Sequence, residues 1–327
     1  MSIGVKKLVE VNHIVKEFPV TKSVFGNTGQ VVHAVSDVSL DIYEGETLGL
    51  VGESGCGKST LGRLALNLTP PTSGEVIFDG VNITGFSEKR LFPYRRQMQI
   101  IFQDPYSSLN PRMSIRQIIA EALETHKIHK TKNEVDGHVK ELLRKTGLRP
   151  EFMNRYPHQF SGGQRQRVGI ARALALEPRF IVCDEPVSAL DVSIQSQILN
   201  LLHDLQSEMH LTYLFISHDL SVVRYISDRV CVMFLGKVCE YGATQNIYGN
   251  PLHPYTRFLL EAVPLPDPDL KKEKKQMLAG EIPSPVNPPG GCRFHTRCPY
   301  KQGICEAEPP ALREAGGRYV ACHMARA

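Results

Sequence analysis

The stretch GESGCGKST, Gly52 to Thr60, has the residue types and spacing to hold phosphate. It fits G-x-x-x-x-G-K-[ST] at Gly52, Gly57, Lys58 and Ser59. Glycines here let successive backbone N–H groups point at one spot, and a helix starting behind them adds partial positive charge. Lys58 is expected to reach β- and γ-phosphates and the Ser59 hydroxyl to ligate Mg²⁺. Ser54, Gly55, Cys56 and Thr60 belong to the same expected lining. A glycine-rich turn with an incidental lysine is the plainer alternative. The context argues against it: TLGLV reads as a buried strand before the loop, and STLGRLAL as a helix after it.

Two further stretches could work on the same phosphates. RFIVCDEP is a short apolar run ending in Asp184 and Glu185. Ligands of open α/β sheets bind at the carboxyl ends of the strands. Asp184 is therefore expected to hold the Mg²⁺ hydration shell, and Glu185 to orient or deprotonate an attacking water. In FSGGQRQRVGIARAL, from Phe160 to Leu174, a serine and two glycines precede a helix with a basic first turn. That is a second anion site by helix-terminus physics. A simple N-cap at Ser161 would look similar but would not account for both glycines or Gln164.

These residues need a framework. The early strand-like segments alternate and are linked by turns, which predicts an antiparallel sheet. The later ones, such as RFIVCDE and LTYLFISHD, are continuous apolar runs between helical patterns, which predicts a buried parallel sheet. Residues from about Asp104 to Phe160 are polar and helical by pattern, and read as a helical subdomain inserted into an α/β core. Beyond Asn250 lie more than half of the 22 prolines, in runs such as PLPDPDLKKEKK and IPSPVNPPGG. Such a tail is expected to be loop-rich and unable to build a large core alone.

Bulk properties narrow the class. The 327 residues are 42% hydrophobic and 22% charged, as in an ordinary soluble globular protein. No apolar run reaches the roughly 18 residues of a membrane span. The start, MSIGVKKLVEVNHIVKEF, lacks the apolar block of a signal peptide, so the cytoplasm is the expected compartment. A net charge of +4 is too mild for a nucleic-acid footprint, and no nucleic-acid partner is expected.

In this order the motifs resemble the nucleotide-binding subunit of ATP-binding cassette (ABC) transporters, over about Lys7 to Asn250. FSGGQ is similar to the family's signature motif, which puts Ser161, Gly163 and Gln164 on nucleotide. Gln103 in IIFQDP matches the Q-loop glutamine, which senses Mg²⁺ and water. SALD, ending at Asp191, matches the D-loop, and His218 the switch histidine that contacts the γ-phosphate. Phe18 in KEFPV sits where the family stacks an aromatic on adenine. The fold implied is α/β: a P-loop NTPase with a RecA-like parallel-sheet core, an antiparallel β subdomain and the inserted helical subdomain, over 1–250, then an extension over 251–327. The resemblance also implies ATP and Mg²⁺ as ligands, and head-to-tail pairing in which each ATP lies between the lysine loop of one subunit and the signature helix of the other. No hydrolytic position departs from the pattern, so a competent ATPase is expected.

NPLHPYTRFLLEAVP, GEIPSPVNPPGGCRFHTRCP and the last cysteine resemble the C-terminal region of oligopeptide and dipeptide importer ATPases. That implies work at the cytoplasmic face of the inner membrane, peripherally, with two integral-membrane permease subunits, an extracytoplasmic substrate-binding protein and a second, paralogous ATPase. This chain looks more like the second of such a pair. The wider group also handles nickel, glutathione and some oligosaccharides, so peptide cargo rests on resemblance alone. A soluble ATPase that clamps nucleic acid and a redox sensor are the rival classes.

Four cysteines, Cys292, Cys298, Cys305 and Cys322, crowd the tail. In a reducing compartment a disulfide is disfavoured, and a metal cage would supply what a core-poor segment lacks. Gaps of five, six and sixteen residues are wide for structural zinc and unlike the tight ferredoxin run. Spacing leaves zinc, with His295 and His323 as spare ligands, and an iron–sulfur cluster both open. The family resemblance implies a [4Fe–4S] cluster. Cys56, Cys183, Cys231 and Cys239 read instead as buried small hydrophobes.

Overall fold

The computed structural model describes residues 6–20, 29–262 and 280–325. The run PLPDPDLKKEKK lies outside them. The chain forms two compact units. One comprises Lys7–Ile42, Thr47–Thr84 and the chain from Ser217 onward; the other comprises Tyr43–Glu46 and Gly85–Ile216.

The first unit begins with β1 (Lys7–Pro19), β2 (Val31–Tyr43), β3 (Thr47–Val51), α1 (Lys58–Ala65), β4 (Ser73–Phe78) and β5 (Val81–Asn82). Strands β2-β1-β4-β5 make one sheet. β1 runs antiparallel to β4, with Val9 opposite Phe78 and Val11 opposite Val76. The register shifts between Asn12 and Val15, where His13 takes φ +48°. This bulge moves the alternation by one residue, so Ile14 rather than His13 enters the core.

The chain then builds the second unit: α2 (Glu88–Gln97), β6 (Met98–Ile101), α3 (Ile115–Thr125), α4 (Lys132–Lys145), α5 (Gly162–Leu174), β7 (Phe180–Asp184), α6 (Val192–Met209) and β8 (Thr212–Ile216). Strands β6, β7 and β8 are parallel, and β7 and β8 are buried at every residue. That is the arrangement the continuous apolar runs predict. Residues 104–160 hold α3, α4 and two 3₁₀ turns and no strand. Ser114 and Thr131 start α3 and α4 with reciprocal capping boxes.

Back in the first unit come α7 (Leu220–Ile226), β9 (Arg229–Phe234), β10 (Lys237–Ala243), α8 (Thr244–Gly249), α9 (Pro254–Glu261), α10 (Gly303–Ala307), β11 (Arg313–Ala315) and β12 (Arg318–Val320). β3 pairs parallel with β9, β9 antiparallel with β10, and β12 antiparallel with both β10 and β11. The tail therefore contributes two strands, which the sequence reading did not foresee. They fall in the proline-free stretch after Pro310, joined by a Gly316–Gly317 turn with both residues at positive φ. Phe294, a buried ring of the tail, packs against Phe234 of β9 and against Tyr255 of α9, itself a tail residue, at centroid distances of 5.4 and 5.3 Å. The tail's buried rings form a small cluster, Tyr255, Phe258 and Phe294, that is completed by Phe234 of β9.

Candidate functional site

The phosphate loop sits in the first unit between β3, buried throughout, and α1. Its glycines are required by space as well as by dihedral angle. A Cβ on Gly57, at φ +103°, would lie 2.1 Å from the Ala34 carbonyl oxygen. One on Gly52 would lie 2.1 Å from that of Met233. The loop is thus wrapped tightly by neighbouring backbone. Lys58 is 5% exposed, and its Nζ donates to the carbonyl oxygens of Gly52 (2.8 Å) and Glu53 (3.1 Å). Those carbonyls hold the ammonium over the loop. Cys56 is buried beneath it, and burial pushes its thiol pKa up. Ser54 and Gly55 are exposed at the tip, while Ser59 and Thr60 occupy the first turn of α1.

The same unit carries Phe18 and His218. Phe18 is 39% exposed near the end of β1, with Lys16 Nζ 4.9 Å from its ring centre. A ring exposed in this way can accept a stacking partner. His218 is exposed just after β8, between Ser217, whose N–H donates to the Leu50 carbonyl, and Asp219, which caps α7.

In the second unit Asp184 ends β7 and is 4% exposed. Glu185 follows at φ +47°, in the left-handed region that a non-glycine residue adopts only at a cost. Its carboxylate Oε2 accepts from Gln103 Nε2 at 3.0 Å. The structure thus brings together Gln103 and Glu185, 82 positions apart in sequence, and the amide orients the carboxylate. Asp191 lies at the N-cap of α6 with an exposed side chain.

At α5, Ser161 Oγ accepts from the Gln164 N–H (3.3 Å) and Gln164 Oε1 from the Ser161 N–H (3.1 Å). The plain N-cap reading therefore holds for Ser161, alongside any nucleotide role. Gly163 has a separate reason: a Cβ there would lie 2.5 Å from Ile194 Cγ2 of α6. One expectation needs correction. The basic first turn does not aim its charge at the helix tip, because Arg165 is 6% exposed, donates to the Pro157 carbonyl (2.8 Å) and stacks on Tyr106. What the tip offers an anion is backbone N–H groups.

The four tail cysteines line one pocket, beside His253, His295 and His323, and all are free thiols. Burial pushes the Cys292 pKa up to about 11, and Cys305, Cys322 and Cys298 nearby push it in the same direction. His295 Nδ1 and His323 Nε2 lie 2.9 Å from the carbonyl oxygens of Cys292 and Glu308. Each ring nitrogen there is a donor, which leaves the other nitrogen of each ring as the one with a lone pair to offer. Among the described residues no group of three or more His, Cys, Asp or Glu is arranged so that it could hold a metal ion. Neither the iron–sulfur expectation nor the zinc alternative finds support in this geometry. The other four cysteines are buried, as expected.

The sequence reading missed Glu53, Tyr255 and Arg297. The Glu53 N–H donates to the Tyr255 hydroxyl (2.9 Å), and its carboxylate accepts from Arg297 (2.8 Å). No spacing rule links residues more than 200 positions apart. The only signals were a carboxylate inside a phosphate loop and an arginine between two cysteines.

A family model described as ABC transporter matches residues 35–188, and one described as Oligopeptide/dipeptide transporter, C-terminal region matches residues 239–305. The oligopeptide transport ATP-binding protein AppF of Bacillus subtilis is 52% identical over 320 residues, 97% of this chain and 97% of that protein. The oligopeptide transport ATP-binding protein OppF of Escherichia coli is 52% identical over 322 residues, 98% of this chain and 96% of that protein. Among solved structures, the dimeric post-hydrolysis state of the ATP-binding cassette MJ0796 bound to ADP and Pi superposes with a TM-score of 0.65 at 30% identity. It covers 72% of this chain and 99% of its own. CbiO1 of Clostridium perfringens, part of the transporter complex cbiONQ, gives a TM-score of 0.63 at 28% identity, over 75% of this chain and 92% of its own.

Proposed function

This chain belongs to the ABC transporter ATPases, in the group that carries the oligopeptide/dipeptide transporter C-terminal region, and we propose that it is the ATP-hydrolysing subunit of an oligopeptide importer. The observation that carries the proposal is likeness at 52% identity through nearly the whole chain, tail included. The tail separates peptide-importer ATPases from cassettes in general.

Each residue's proposed role follows from its chemistry. Gly52, Ser54, Gly55, Cys56, Gly57 and Thr60 shape the phosphate cradle. Lys58 neutralises the β- and γ-phosphates, and the Ser59 hydroxyl, the Asp184 carboxylate and Gln103 attend Mg²⁺. Glu185 takes the proton of the attacking water, held in aim by Gln103. His218 contacts the γ-phosphate, and Phe18 stacks on adenine. Ser161, Gly163, Gln164 and Asp191 serve the nucleotide of a facing subunit. In this reading ATP favours the closed pair of subunits and hydrolysis releases it, which is linkage between binding and a two-state assembly.

The facing subunit is proposed to be a paralogous ATPase, and the pair to sit peripherally on two permease subunits at the cytoplasmic face of the inner membrane, fed by a substrate-binding protein. Among the described residues no helix is long and apolar enough to cross a membrane. The four tail cysteines are proposed to hold a [4Fe–4S] cluster, the group whose chemistry asks for four thiolates. What supports this reading is the donor set, four free thiols that line one pocket. When bound, the cluster would tie the tail covalently; none of the ATPase steps uses it.

The test is reconstitution of the native complex in proteoliposomes with labelled oligopeptides. ATP-dependent uptake that stops with Glu185→Gln supports the reading. Hydrolysis stimulated by the loaded binding protein only with a non-peptide cargo would replace it.

A further inference from the structure

Between the first two pocket cysteines lie Arg293, Phe294, His295, Thr296 and Arg297. Three of these side chains engage the surroundings of the phosphate loop. Arg297 donates to the Glu53 carboxylate at 2.8 Å; the arginine side chain is 7% exposed and the glutamate 23%. The Glu53 N–H is held by the hydroxyl of Tyr255, a fully buried residue of α9. Both the main chain and the side chain of Glu53 are thus gripped from beyond Asn250. Arg293 donates to the Leu235 carbonyl and to Ser36 Oγ (2.9 Å). The neighbouring Gly236 N–H donates to the Cys56 carbonyl at 2.9 Å, so Arg293 steadies the turn that holds the other side of the loop. Phe294 packs on Phe234, next to Met233, whose carbonyl closes over Gly52.

The line of contact continues to the lysine. Lys58 Nζ takes the carbonyl oxygen of Glu53, so a displaced Glu53 displaces the ammonium with it. The pair is part-buried, and such a pair is a poor stabiliser, because desolvation offsets much of the attraction while misplacing one partner is costly. Such a pair is better suited to setting position than to adding stability. We propose that the segment Cys292–Cys298 is a positioning device for the phosphate loop, with Arg297 acting through Glu53 on Lys58, so that the arrangement of the cysteine pocket sets ATP affinity. The proposal rests on the reading of the Lys58 loop as the ATP site.

The experiment is calorimetric titration of Mg–ATP into the full chain carrying Glu185→Gln, with thermal melts of each variant and steady-state kinetics in the hydrolysing background. Arg297→Met and Glu53→Gln should each weaken ATP about tenfold, a typical coupling between sites. The double variant should be no weaker than either single one, because both remove the same contact. Arg297→Lys should recover most of the affinity. Tyr255→Phe, which deletes one hydroxyl, should raise the KM for ATP and leave kcat at saturating ATP near that of the parent, and Cys298→Ser should weaken ATP in the same titration. If Arg297→Met fails to fold, Glu53→Gln and Arg297→Lys carry the same comparison. Affinities within about twofold of the parent, with only the melting temperature lowered, would show the pair to be an anchor for the tail and overturn the proposal. If the parent itself binds no ATP, or Lys58→Ala binds as well as the parent, it is the ATP-site reading that fails.

Discussion

Glu185 shows how much of this chemistry rests on single side chains. Its backbone is held at φ +47° and its carboxylate by Gln103 at 3.0 Å. Glu185→Gln keeps the size and removes the base, so hydrolysis should fall by about 10²–10⁴-fold while ATP still binds. A phosphate-release assay beside a nucleotide titration checks both halves, and near-parental turnover would remove Glu185 from its role. Gly57→Ala tests the loop from the other side. The added methyl meets the Ala34 carbonyl at 2.1 Å in a conformation that disfavours any side chain. A loss of about 1–3 kcal/mol in denaturant unfolding is expected, with ATP binding weakened or lost. Lys58 was legible because it stands in a recognisable phosphate-loop stretch, and Asp184 and Glu185 because they end a short apolar run. The Gln103–Glu185 bond was not, since nothing local couples residues 82 positions apart.

The N-termini of α3, α4 and α5 are held by side-chain caps. Ser161 caps α5 through a reciprocal box with Gln164. Ser161→Ala should therefore cost about 1 kcal/mol of stability whatever it does to hydrolysis. Melting the variant beside a turnover assay separates the two effects, and an unchanged melt would deny the cap. His129, just before α4, and His138, within it, share a hydrogen bond between Nε2 and Nδ1 at 2.8 Å. Burial and the neighbouring His129 hold the His138 pKa below the usual histidine range. A histidine with a lowered folded pKa takes up protons more readily when unfolded. Stability should then fall as pH drops through the unfolded value, near 6.5. His138→Gln should show a smaller drop in melting temperature between about pH 7.5 and 5.5 than the parent. The sequence reading raised the cap at Ser161 as an alternative, and the boxes at Ser114 and Thr131 came from the structure. The inward turn of Arg165 was not legible in the sequence, because only the packing of Pro157 and Tyr106 decides where a long side chain lies.

At the scale of the whole molecule, the proposed cluster makes a direct prediction. Anaerobic preparations should contain iron and acid-labile sulfide, and Cys→Ser changes at all four tail positions should remove both and lower the melting temperature. Zinc without iron in the parent would overturn the assignment. The sequence alone determined the phosphate loop, the order of the motifs, the buried parallel strands and the family, because each is written in local spacing, and local spacing governs turns, caps and strand burial. Tertiary structure alone decided that the tail adds β11 and β12 to a sheet, that Phe294 borrows its core from β9 and α9, and that Arg297 reaches Glu53. These pairings join residues far apart in the chain. They form because buried charges and rings must find partners, and the folded chain, not the local sequence, determines which partners are within reach.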